Sequence, residues 1–195
     1  QKAVDYLSGV SEQTPSNEHA RKNLGLALRN LGTEFFKGGQ YSDAAAHFER
    51  AVSLGDDNYL LLGRLAHCHL ALGNQQEYDE VCRSIIERFP EPDERNTADW
   101  GHLGQALYRA GRFDESRESL EKVIELRGDE GPSLKGGTRW WYYTMILFQS
   151  GETDQARACF EQVVEVMKEN PPTNKRAHDR LCAEAAELLG IDVEL

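Results

Sequence analysis

Three consecutive side chains, His67-Cys68-His69, are the nearest thing in this sequence to a metal-binding or nucleophilic cluster. Imidazole and thiolate are common zinc ligands, but the ligands must converge on one point. Residues one and two apart on a helix face different directions, so these three do not converge. They read as packing and surface chemistry, with His69 in a buried column and His67 on the opposite side. Gly136-Gly137-Thr138 precedes a helical pattern, where backbone N–H groups could meet an anion, and reads instead as a capped helix start after a loop. Acidic residues such as Glu121, Glu125 and Glu161 suit a solvated outer face. A paired acid–base site would need a cleft, and the sequence supplies none. No nucleophile elbow, phosphate-binding glycine loop, zincin helix or dinucleotide fingerprint occurs. The expectation is a chain that is not an enzyme and calls for no cofactor and no metal.

The elements that would carry these residues are helices, and they repeat. Residues 31–54, LGTEFFKGGQYSDAAAHFERAVSL, hold two amphipathic helical patterns joined by a turn at Gly38-Gly39-Gln40. The second places apolar or small residues at Tyr41, Ala44, Ala45, Phe48, Ala51 and Val52, a helical spacing. The turn glycine Gly39 recurs at Gly73, Gly111 and Gly151, at intervals of 34, 38 and 40 residues. Around each glycine the same columns return. Upstream stand Leu31, Leu65, Leu103 and Tyr143, followed by Gly32, Ala66, Gly104 and Thr144. Downstream stand Ala44, Tyr78, Ser116 and Ala156, then Phe48, Cys82, Leu120 and Phe160, then Ala51, Ile85, Val123 and Val163. The small residues let paired helices approach closely and the large ones fill the space beside them. One such hairpin cannot bury its own apolar face, whereas stacked neighbours can.

A helix–turn–helix unit of this period resembles the tetratricopeptide repeat family over roughly residues 25–170. Trp100 and Trp140 fall where that family favours tryptophan, and Tyr41 and Phe113 supply its aromatic after the turn. Tyr78, in a small-residue column, and His69, where an aromatic is usual, are departures in the second repeat. The resemblance implies an all-α, right-handed α–α superhelix of about four and a half repeats plus a C-terminal capping helix.

Taken in order, Ala3, Leu7, Val10 and Pro15 match second-helix spacing, so residues 1–16 are expected to be the second helix of a truncated repeat. The chain begins at Gln1, and a fragment of a longer protein is expected. Residues 17–170 are expected to form four full repeats, at about 25–58, 59–92, 97–130 and 137–170, with a first helix starting near Glu18. Helices are expected near 58–72 and 75–88, with Asn96-Thr97 capping the next. Residues 171–195 are expected to give a capping helix, about 174–189, with Ala177, Leu181, Ala185 and Leu188 on one face, and a tail.

In the family the first helices line a concave surface. Transferring that rule gives a peptide-binding groove of Arg29, Asn30 and Thr33, then Arg64 and His67, then His102, Gln105 and Arg109, then Trp141, Tyr142 and Met145. Three arginines in these columns of an acidic chain imply a protein or peptide partner, acidic, with an aromatic or apolar anchor. The family's carboxylate-clamp columns hold Arg29, Thr33, Arg64, Ala98 and His102, so the chaperone-type clamp is not reproduced. Trp141 either lines the groove or is covered by the terminal helix. The function so implied is a non-enzymatic protein–protein interaction scaffold. Its alternatives are a regulatory or scaffolding region of a larger, even enzymatic, multidomain protein, or a self-assembly module whose exposed half-repeat stacks on another copy.

The whole composition bounds these readings. A net charge of −11 argues against a nucleic-acid partner, whose phosphates need a basic face. No apolar run approaches a membrane span, and mean hydropathy is −0.62, so membrane insertion is not expected. Cys68, Cys82, Cys159 and Cys182 show no CxxC spacing. They read as free thiols in a reducing compartment such as the cytoplasm.

Overall fold

The computed structural model describes residues 17–56, 58–92, 96–128, 137–172 and 174–192. Residues 1–16, expected as half a repeat, and Gly136 lie outside the described residues. Among the described residues the regular structure is entirely α-helical. The chain divides into two compact units, Gln1–Asn74 and Gln75–Leu195.

The first unit contains α1 (Glu18–Lys37), α2 (Tyr41–Ser53) and α3 (Tyr59–Leu72). Helix α1 begins where Asn17 Oδ1 accepts the Ala20 N–H at 3.0 Å, satisfying an otherwise unpaired donor of its first turn. Glu18 in that turn and Lys37 in the last one complement the helix dipole. The chain reverses at Gly39, whose φ of 71° is open to glycine at little cost. Helix α2 then runs back along α1, and the closest approach is at Gly32. A Cβ added there would lie 2.8 Å from Phe48 Cε1, and Phe48 is fully buried. The small–large column pair read from the sequence is therefore a packing contact. Asn58 starts α3 in the way Asn17 starts α1, accepting the Leu61 N–H at 2.9 Å.

The second unit contains α4 (Gln75–Arg88), α5 (Thr97–Arg109), α6 (Phe113–Arg127), α7 (Arg139–Gln149), α8 (Thr153–Glu169) and α9 (Lys175–Leu189). Asn96 caps α5 through hydrogen bonds from Ala98 and Asp99. The α5–α6 hairpin repeats the first unit's contact, since a Cβ on Gly104 would lie 2.7 Å from Leu120 Cδ2. Ser116 Oγ donates to the Gly104 carbonyl at 2.6 Å and pins the same crossing. In the next hairpin Thr144 takes this column, and its hydroxyl donates to the Trp140 carbonyl at 2.8 Å and meets Cys159 Sγ at 3.2 Å. Helix α9 packs on α7 and α8 and buries Ala177, Leu181, Ala185 and Leu189. The inward residue of its last turn is thus Leu189, with Leu188 only partly covered.

Candidate functional site

Both units hold arginines in the columns that the sequence assigns to a partner, and their surroundings differ. In the first unit, Arg29, Asn30 and Thr33 stand on α1, and Arg64 and His67 on α3. Arg64 Nη1 donates to Thr33 Oγ1 at 2.7 Å, and that hydroxyl donates in turn to the Arg29 carbonyl at 2.9 Å. Thr33 therefore holds one guanidinium in place and carries no charge to neutralise it. Arg29 Nη1 donates to Asp56 Oδ1 at 3.0 Å, and Asn58 Nδ2 donates to the same oxygen at 3.3 Å. Among the described residues no carboxylate pairs with Arg64. Burial, and then the neighbouring Arg29 charge, pull the Arg64 guanidinium below its ordinary pKa range. Such a side chain gains from an added anion. Asn30 is exposed, and His67 is half-buried against the rings of Phe36, at 5.4 Å, and Tyr41, at 6.1 Å. A cleft of about 180 Å³ beside Arg29 and Asp56 is walled by Lys22, Leu26 and Leu54.

In the second unit, the Arg109 side chain is only 13 % exposed and makes two parallel hydrogen bonds to Glu184 of α9, both at 2.6 Å. Its guanidinium lies 5.3, 5.6 and 5.4 Å from the ring centres of Tyr78, Tyr108 and Tyr142, within cation–π range of all three. The Tyr78 and Tyr142 hydroxyls share a short, buried hydrogen bond. Burial pushes the Tyr142 phenol up to about 12, so both rings stay neutral and the cation is balanced by Glu184. Beside this cluster, Trp141 Nε1 donates to His178 Nδ1 of α9 at 3.1 Å. Burial lowers the His178 imidazole to about 4, which keeps Nδ1 free to accept.

These contacts correct part of the expected groove. Trp141 and Tyr142 are wholly buried and Met145 is 1 % exposed, so none of them presents a surface to a partner. Of the two alternatives for Trp141, cover by the terminal helix is the one observed. Arg109 is paired through Nη1 and Nη2 with Glu184 and enclosed by the tyrosine rings. His102 and Gln105 on α5 are half-buried. The structure thus brings together Arg29, Thr33 and Arg64 in one unit, and Arg109 and Tyr142 in the other.

Asp56, Glu184 and His178 were not singled out from the sequence, although each fixes one of the residues that were. Asp56 lies in a connector, where periodicity gives no signal. Tyr78 did leave a trace, because a large ring in a small-residue column asks for a partner, and Tyr142 and Arg109 provide it. The second departure has a similar account, since His69 is 4 % exposed and its Nε2 lies 3.3 Å from Glu49 Oε1. His67 and His69 point to different neighbours. Among the described residues no group of three or more metal-ligating side chains occurs. All four cysteines are free and buried. Burial raises the Cys68 and Cys82 thiols to about 12, so neither supplies a thiolate nucleophile near neutrality. No helix among the described residues is long and apolar enough to cross a membrane.

Two family models, each described as tetratricopeptide repeat, match residues 29–91 and 94–169. Over 131 residues the chain is 26 % identical to the general transcriptional corepressor trfA of Dictyostelium discoideum, covering 62 % of this chain and 9 % of that protein. Over 114 residues it is 28 % identical to the Protein STIP1 homolog of the same organism, covering 56 % of this chain and 18 % of that one. The chain therefore spans less than a fifth of either relative. A structure of a MamA mutant superposes with a TM-score of 0.50 at 18 % identity, covering 85 % of this chain and 88 % of the other, which is a likeness of fold.

Proposed function

The chain belongs to the tetratricopeptide repeat family, an all-α superhelical repeat fold, and from that premise we propose that it is a non-enzymatic scaffold holding an extended segment of a protein partner. In this reading residues 17–170 form four repeats and 171–195 close the array. The partner contacts Arg29, Asn30, Thr33, Arg64 and His67 of the first unit. Arg109 and Trp141 serve instead to fix α9, and Tyr142 and Met145 are interior.

One observation carries the assignment. Arg64 is a half-buried guanidinium oriented by a hydroxyl and, among the described residues, paired with no carboxylate. A positioned, incompletely neutralised arginine suits an acidic group, which would bring a charge-assisted hydrogen bond. The face is held by packed helices before the partner arrives, so little ordering entropy is lost on binding.

The test is quantitative capture of a partner by wild-type protein and by Arg64→Ala. Loss of an anchor of this kind is expected to weaken binding by about 2 kcal/mol or more, with the thermal midpoint unchanged. Equal capture by both proteins would refute the assignment of this face.

A further inference from the structure

The two arginine-bearing faces of the first unit continue toward the helix N-termini in exposed leucines. Leu26 and Leu60 are each 43 % exposed and are two of the three exposed large hydrophobics among the described residues. On α1, Leu26 is followed at i+3, i+4 and i+7 by Arg29, Asn30 and Thr33. On α3, Leu60 is followed at i+4 and i+7 by Arg64 and His67. These spacings put each leucine on the same helical stripe as the polar residues after it. Leu26 and Leu60 are also 34 residues apart, one repeat, so they occupy the same column of successive first helices. The face therefore has an apolar end and a cationic end about one helical turn apart.

Resting on the interaction reading above, we infer that this face recognises a partner segment carrying an apolar and an acidic side chain two residues apart. The spacing follows from geometry. Four residues of α3 separate Leu60 from Arg64, an axial rise of about 6 Å at 1.5 Å per residue. An extended peptide lying along the helix advances roughly 3.3 Å per residue, and its side chains at i and i+2 point the same way. Two residues of peptide match one turn of helix. Adjacent side chains would point to opposite sides, and a three-residue interval would overshoot and also turn the second side chain away.

Charge selects a carboxylate for the second position. Arg29 is already paired with Asp56, and Arg64 ends on the neutral Thr33 hydroxyl. The trio Arg29, Arg64 and Asp56 thus carries one net positive charge, which a single carboxylate balances. The leucines receive an aliphatic or aromatic side chain. Both orders of the two side chains enter the test.

The experiment is fluorescence anisotropy on the full chain with short dye-labelled peptides, neutral apart from the residues under test. Leu and Glu are placed one, two or three apart in both orders, each with a Leu–Gln control. A two-residue spacing is expected to bind about tenfold tighter than the others in one order. Arg64→Gln is expected to abolish the preference for Glu over Gln and retain that for Leu. Leu60→Ser should do the reverse, with both thermal midpoints held near wild type. Arg64-dependent binding that ignores spacing would refute this register and leave the interaction reading standing. Binding that is indifferent to Arg64 would overturn both. A mass that grows with concentration and is abolished by Leu60→Ser would assign the face to a second copy and also refute the proposal.

Discussion

In the first unit Arg64 ends on the hydroxyl of Thr33 and remains half-exposed, whereas in the second unit Arg109 ends on the carboxylate of Glu184 with three tyrosine rings around it. Both arginines lie on first helices of a repeat and both were read from the sequence as facing a partner. What separates them is α9, which brings Glu184 to one cation and His178 to the neighbouring indole. A helix face that another element covers becomes interior whatever its column. A column therefore states the direction of a side chain, and its neighbours decide whether that direction leads to solvent.

The contrast can be broken at its strongest point by Trp141→Ala. Removing a wholly buried indole is expected to cost about 3–5 kcal/mol in a denaturant titration, and a stability near wild type would mean that Trp141 is not interior. Acid should produce the next largest effect. The folded His178 holds its proton only near pH 4, while the unfolded chain binds one near 6.5. The unfolded state therefore takes up the extra proton as pH falls from about 6.5 to 4, and stability drops by roughly 3 kcal/mol over that window before levelling off. The difference between stability–pH curves of wild type and His178→Gln isolates this contribution.

Glu184→Gln comes next, with an expected loss of about 1.5–3 kcal/mol for a bidentate hydrogen bond to a buried cation. A double-mutant cycle with Arg109→Met should recover that coupling. Arg64→Ala closes the series, with stability changed by at most about 0.5 kcal/mol. Its effect belongs to partner capture. Comparable unfolding penalties for Arg64→Ala and Glu184→Gln would erase the distinction between the two units.

The helical pairing was readable because it rests on strictly local chemistry. Gly32 with Phe48 and Gly104 with Leu120 recur at fixed offsets, and both are close crossings in the structure. The helices expected near 58–72 and 75–88 appear as α3, Tyr59–Leu72, and α4, Gln75–Arg88. The candidate face was readable only in part. Arg29, Thr33 and Arg64 lie together through the hydrogen bonds of the Thr33 hydroxyl. Arg109 and Trp141 share the same column logic and are enclosed, because Glu184 and His178, 75 and 37 residues further along the chain, meet them. Such long-range cover has no period. The mismatch at Tyr78 was the one local sign that the second unit packs a large polar ring inside.

The hydrogen bond between Trp141 and His178 also gives the molecule a built-in optical gauge. An indole sealed from water emits at shorter wavelength than a wetted one, and an imidazolium beside it quenches its light. Seating of the final helix on its neighbours can therefore be followed by the Trp141 share of the intrinsic emission, separated from that of Trp100 and Trp140 by comparison with Trp141→Phe, without attaching any label.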